Sequence, residues 1–430
     1  MIPLPVLAET GEGATRVLAI FAGIALVGIA ATFATTRFYA RLQRHRWVAA
    51  FTAGGWFAMI TGIVIGPRVL AVLDAEGTQA LQPLLYIALA WIGLIVGLQL
   101  RRPLLAAIPA ELARWIRLDT IVSLLVGTAV AIGWWRIMAP EAAFGTILLP
   151  ALALAVAFIG WAPETRSLRP DLTPRSGELA QLVQAGGGLG AAIAVLIFGL
   201  GNQFVRIDPD GPIVIEPWLG LVELFLSAGV AIMLGTGARL LLRRTSGAAQ
   251  ESLVITLSLV LIGAGFAAEL GLSPLLNGLI AGGVIANLRD PHLRDLERGL
   301  QSAEPAMAVL MLVACGSVIG GIDVGEAVVL GLVVAILRLL VKPLVARHSV
   351  GSGFPDLPPR DPLFLGPARM PLVAIAVAIG PAIVTQAPAS ETVLAAVMLA
   401  TLLSAVSPGL AGRRRRAELP DSPVQGEVRS

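Results

Sequence analysis

SLVITLSLVLIGAGFAAELGLSPLLNGLIAGGVIANL, residues 252–288, carries a single charged side chain, Glu269. As one helix it would run about 55 Å at 1.5 Å per residue, far beyond the roughly 30 Å of a bilayer's hydrocarbon core. The joint AELGLSP (268–274) holds Gly271 and Pro274, which together mark a turn. The stretch therefore reads as two spans, 252–270 and 272–288. That choice sets the parity of the chain, which divides into thirteen apolar segments: 16–36, 49–66, 81–99, 118–138, 143–163, 179–200, 218–238, 252–270, 272–288, 303–322, 325–345, 362–384 and 389–410.

Composition agrees. Of 430 residues, 56% are hydrophobic and 14% charged, where a soluble domain carries roughly a quarter charged. Mean hydropathy is +0.84. An all-α polytopic membrane protein is the reading. The net charge of +3 is small and lies in loops, which excludes a nucleic-acid partner. The one cysteine, Cys315, cannot form an intrachain disulfide and reads as a buried thiol. No cofactor motif or metal-ligand set is present. The start, MIPLPVLAETGEG, lacks the basic region of a cleaved signal peptide, and no appended soluble domain is expected after Leu410.

The arginines give direction. Alternate connections (37–46, 101–117, 165–175, 238–244, 288–298, 345–361) and the tail hold 24 of the 31 basic residues. The opposite side holds Arg16, Arg68, Arg136 and Arg206, and three more (Arg338, Lys342, Arg369) fall inside segments. By the positive-inside rule the N-terminus is external and the C-terminus cytoplasmic, as an odd number of spans requires. The run RRRR (413–416) reads as an anchor against anionic headgroups.

Five stretches in order carry a resemblance: GGWFAMITGIVIGPRVL (54–70), LAWIGLIVGLQLRRP (89–103), LGLSPLLNGLIAGGVIANL (270–288), EPAMAVLMLVACGSVIGG (304–321) and VVLGLVVAILRLLVKPL (328–344). In order and spacing, from about residue 16 to 410, the chain resembles the monovalent cation:proton antiporter superfamily, of the potassium-efflux and sodium/proton exchanger type. The resemblance implies a sodium/proton antiporter-like fold of thirteen helices with inverted repeats, two broken crossing helices, a core that moves against a dimerisation domain, and a homodimer. It implies a transmembrane domain over 1–411, followed by a disordered basic cytoplasmic tail over 412–430, in a bacterial inner membrane.

Two proline-bearing stretches fit broken helices: FIGWAPET (158–165) with Pro163, and FLGPARMP (364–371) with Pro371. Proline removes a helix hydrogen bond and clashes with the preceding turn; unwound backbone then lines an ion site. Proline-kinked packing helices are the plainer alternative. The chain also departs from the family. Segment six, ELAQLVQAGGGLGAAIAVLIFG (178–199), has no acid after Glu178 where the family's cation-binding aspartate stands. The family's Asp-Pro is here Ala-Pro-Glu, and its Arg-Gly-Glu is Arg369-Met370-Pro371.

Several residues are candidates for an ion site or polar core. Arg338 and Lys342 lie four apart on one helix face; Arg338 is expected to face protein, and Lys342 to reach the cytoplasmic interface. Glu164 is the candidate substitute carboxylate, with Arg369 beside the second break. Glu223 and Glu269 are possible partners of Arg338, the latter more exposed. Asn277 is placed to hydrogen-bond between helices. Gln184 precedes the glycine run by a turn and is placed to face the core; glycines 186–188 and 190 read as close helix packing. Three functions follow: a secondary transporter exchanging Na⁺ or K⁺ for H⁺, a transport-inactive scaffold or regulatory subunit, and an anion transporter drawn to Arg338.

Overall fold

The computed structural model describes residues 56–70, 82–106, 108, 110–138, 140–141, 144–159, 174–206, 214–215, 217–242, 244, 249–287, 293–321, 324–350, 392–401 and 403. Segments one and twelve, Pro163, Glu164, Arg369, Pro371 and the tail lie outside the described residues.

The described chain is helical, in the order α1 (Trp56–Ile65), α2 (Gln82–Leu98), α3 (Arg102–Ala106), α4 (Ala110–Met138), α5 (Phe144–Ile159), α6 (Pro174–Phe204), α7 (Pro217–Leu242), α8 (Ala249–Glu269), α9 (Pro274–Ala286), α10 (Leu293–Ile319), α11 (Val324–Val350) and α12 (Thr392–Thr401). A two-residue antiparallel ladder, Val205–Arg206 with Val214–Ile215, joins α6 to α7. Stretches Ala113–Met138 and Pro217–Leu241 are each long and apolar enough to cross a membrane. Large apolar side chains such as Leu125, Phe225, Val254 and Leu340 point outward. Those faces suit lipid rather than water, and the chain is an integral membrane protein.

The joint inside 252–288 is a turn, as its residues dictate. Helix α8 stops at Glu269, and Gly271 takes φ +65, a conformation that costs a side-chain residue dearly. Ser273 then caps α9, its Oγ accepting from the Leu276 N–H at 3.3 Å, with Pro274 in the first helical turn.

Among the described residues, two helix pairs meet glycine to glycine. Gly62 of α1 faces Gly316 and the Val313 carbonyl of α10. Gly93 and Gly97 of α2 face Gly278 and Gly282 of α9. A Cβ at any of these positions would overlap the opposing main chain; only glycine permits such an approach. The α2–α9 pair forms a wall between two apolar cores. One side (Leu89, Ile92, Leu276, Leu279) joins residues of α4, α5, α6, α10 and α11. The other (Trp91, Leu94, Ala281, Ile285) packs on α7, α8 and the start of α10.

At one end of the bundle, here the basic end, α2, α9 and α10 are tied by polar bonds. Trp91 Nε1 donates to the Leu300 carbonyl at 3.1 Å, Asn287 Nδ2 donates to the Leu100 carbonyl at 3.0 Å, and Arg101 pairs with Glu297. The other end, the turn end, holds the α8–α9 joint, the end of α6 and the start of α7.

Helices α4 and α10 start well before the apolar segments expected from the sequence, at Ala110 and Leu293. In α4 the added turns bury Trp115 and Ile116 while Arg114 and Arg117 stay exposed. An amphipathic first stretch extends a helix beyond the purely apolar run.

Candidate functional site

Helix α4 buries Trp115, Asp119, Ser123, Gly127, Ala131 and Trp135. The four-residue spacing puts them in one stripe along the helix. Gly127 lies so close to Ala155 that α4 and α5 pack tightly. On α11 the buried stripe runs through Ala327, Leu330, Val334, Ala335, Arg338 and Lys342. These two stripes pack together against the end of α5, so a carboxylate and two cations from helices distant in sequence share one buried volume.

Lys342 Nζ lies 2.5 Å from Asp119 Oδ2, and donates to Ser123 Oγ at 3.1 Å and to the Ile159 carbonyl at 3.2 Å. Three acceptors satisfy the ammonium's three donors. Arg338 Nη1 donates to the Ala157 carbonyl. Both carbonyls belong to the last turn of α5, whose oxygens lack partners within their own helix. The C-terminal end of a helix also carries partial negative charge, so the cations cap α5 while Asp119 offsets one of them.

The expected placement of Lys342 at the interface does not hold. Its side chain is 2% exposed, as is Asp119's. The carboxylate, the Ser123 hydroxyl and the Ile159 carbonyl hold it inside, an alternative to snorkelling that exists only because Asp119 is there. Arg338 is 3% exposed and faces the protein interior.

Asp119 is the residue sequence reasoning missed. One of its oxygens, Oδ1, has no partner among the described residues, nor have Nε and Nη2 of Arg338. The described part of the cluster is therefore not saturated: a carboxylate oxygen and guanidinium donors remain for a further group. Among the described residues the cluster holds one acid against two bases, a net positive charge when all three are ionised. Buried ion pairs persist where hydrogen bonds compensate desolvation, and here Lys342 is fully compensated while the Asp119 carboxylate is half so.

The other candidates lie elsewhere. Glu223 sits at the turn end, where the Gln203 amide donates to its Oε2 at 3.1 Å and accepts from the Ser273 N–H at 3.0 Å when oriented to suit both neighbours. Gln203 is thus one of its partners. Glu269 is exposed at the end of α8. Asn277 is buried on α9, and its side-chain nitrogen and oxygen make no hydrogen bond among the described residues. Gln184 lies within α6. In the same helix Gly188 leaves room for the Gln99 side chain that follows α2. Among the described residues no group of three or more His, Cys, Asp or Glu side chains is arranged to hold a metal ion.

No protein-family model and no curated protein matches the chain. Solved structures do match it in fold. The structure of the sodium proton antiporter MjNhaP1 from Methanocaldococcus jannaschii at pH 8 aligns with a TM-score of 0.60 at 15% identity, over 91% of this chain and 96% of that one. An electron-microscopy map of the same antiporter aligns with a TM-score of 0.57 at 16% identity, over 95% and 98%. At such identity the likeness is one of fold, and it spans nearly the whole of both chains.

Proposed function

We propose that this protein is a secondary transporter that exchanges a monovalent cation, Na⁺ or K⁺, for protons, with Asp119 as the exchanging carboxylate. The observation that carries the reading is the buried Asp119–Lys342 pair with a carboxylate oxygen left over. Exchange needs a group whose charge can change, and arginine has none to offer. Asp119 does. It can hold Lys342, a proton or a metal cation in turn, and each releases the others by competition for the same two oxygens. The fold of a sodium proton antiporter supports the assignment, and Asp119 stands in for the acid that segment six lacks. Glu164 is the second carboxylate to test.

The wider arrangement belongs to the same proposal: thirteen spans, N-terminus external, a homodimer in a bacterial inner membrane, and inverted repeats offset by seven segments. The glycine contacts support the offset. It carries segment two to nine and three to ten, and so turns the α1–α10 pair (segments two and ten) into the α9–α2 pair (nine and three). The basic end would then be cytoplasmic and the turn end external.

The test is a proteoliposome with an imposed pH gradient and a fluorescent pH reporter. Addition of Na⁺ or K⁺ collapses the gradient, and Asp119→Asn lowers the rate more than tenfold in folded protein. A rate unchanged by Asp119→Asn would remove it from the exchange step. A second reading has its own observation, the Arg338 donors that no described residue meets. A cluster of net positive charge attracts anions, and on that reading the same vesicles would respond to anions and not to alkali cations.

A further inference from the structure

We propose that the polar group at the turn end, formed by Gln203, Glu223, Ser227, Ser273 and Asn277, is a second cation site, which takes a partly hydrated Na⁺ or K⁺ on the external side of the route to Asp119. The direction of traffic rests on the exchange reading above; binding itself does not.

Three helices bring the group together. Gln203 at the end of α6 joins Glu223 of α7 to the Ser273 backbone at the head of α9. Glu223 is half-buried, and Gln203 and Ser273 are buried. Ser227 follows Glu223 by four residues, and Asn277 follows Ser273 by four, so each lies one turn deeper on the same face of its helix. Helices α7 and α9 pack side by side in the same direction, with Gly235 of α7 against Val284 and Ala281 of α9. By helix register, Ser227 and Asn277 make a second polar layer one turn inside Glu223 and Ser273.

The deeper members are the telling ones. Asn277 is 1% exposed and Ser227 is fully buried. Both side-chain heteroatoms of Asn277, and the Ser227 hydroxyl, lack a partner among the described residues. Such orphans are costly to leave unmet, and in natural proteins they mark a water or an ion. Hydroxyls elsewhere in these helices solve the problem locally. Thr61, Thr120, Thr236 and Thr401 each donate to the carbonyl four residues back. Ser227 makes no such bond, which leaves its hydroxyl for another partner. The donors on offer are a carboxylate, a hydroxyl and an amide carbonyl, all hard oxygen ligands that suit an alkali cation. The one ionisable side chain among the five is an acid, Glu223, a ligand type that suits cations.

The experiment uses detergent-solubilised full-length protein in the Asp119→Asn, Lys342→Met background, so that the first site is silent and no charge is stranded there. Thermal unfolding is followed by tryptophan fluorescence in NaCl, KCl or choline chloride at one ionic strength. Na⁺ or K⁺ should raise the midpoint above that in choline, and Glu223→Gln and Ser227→Ala should each remove at least half of that rise. If Glu223→Gln does not fold, Ser227→Ala decides alone. No rise over choline in this background, as expected of a site that holds water only, would overturn the site, and so would a full-sized rise in Ser227→Ala. Absence of transport in the wild type would sink the exchange reading and leave this measurement standing.

Discussion

Asp119 and Lys342 are each buried because the other is. Removing one partner of such a pair strands a charge at a cost of about 3–5 kcal/mol, whereas replacing both by apolar or neutral groups of similar size is close to neutral. Lys342→Ala is therefore expected to lower the unfolding midpoint sharply, and Asp119→Asn combined with Lys342→Met to recover most of the loss. A wild-type midpoint for Lys342→Ala would mean that the ammonium is not held inside. Arg338→Ala is likewise expected to destabilise, since it uncaps the Ala157 carbonyl at the end of α5. Arg338 was legible because a guanidinium in mid-segment must face protein. Asp119 was not, since it sits beside Arg117 at the edge of an apolar run and resembles an interfacial acid. Its signal was the stripe, an acid in register with Trp115, Ser123 and Trp135, and a run of apolar residues does not by itself reveal which face turns inward. Glu164 drew attention by standing next to a proline, a local cue that says nothing about which helices meet.

Among the helices, glycine separates positions of two kinds. Gly93 and Gly278 touch opposing backbone, while at Gly229 and Gly265 an added Cβ would meet nothing within 4 Å. Gly278→Val should push α9 off α2 and reduce the yield of monodisperse protein several-fold. Gly229→Ala and Gly265→Ala should leave yield intact and raise the midpoint, by up to about 1 kcal/mol in helix propensity. Size-exclusion profiles and thermal melts distinguish the two; a tolerated Gly278→Val would break the close-packed picture. The α8–α9 turn was readable from Gly271 and Pro274 because turn chemistry is local. The glycine crossings were only partly so. Gly62 reads as a packing residue, but its partner Gly316 lies far along the chain, and pairing at such a distance leaves no mark in one sequence.

For the molecule as a whole, the bias of basic residues toward alternate connections predicts orientation. A reporter fused after Arg416 should be cytoplasmic and one placed within 207–213 external. The reverse would overturn the span count along with the direction. The fold class was legible from composition, because burial of backbone in lipid leaves few options beyond helices.

Helix α9 has only 13 residues, and ten of them are buried. At 1.5 Å per residue it is about 20 Å long, short of the hydrocarbon thickness it occupies. Its two ends are finished by protein, Ser273 at one and Asn287 at the other, the latter also holding Leu100 and Arg102 of the neighbouring chain segment. Such a helix gains little by partitioning into lipid alone. During biogenesis it is expected to leave the insertion machinery as the second arm of a hairpin with α8, with α2, already made, closing over its glycines. The order of synthesis, in which α2 emerges long before α9, thus supplies a template for a span that cannot template itself.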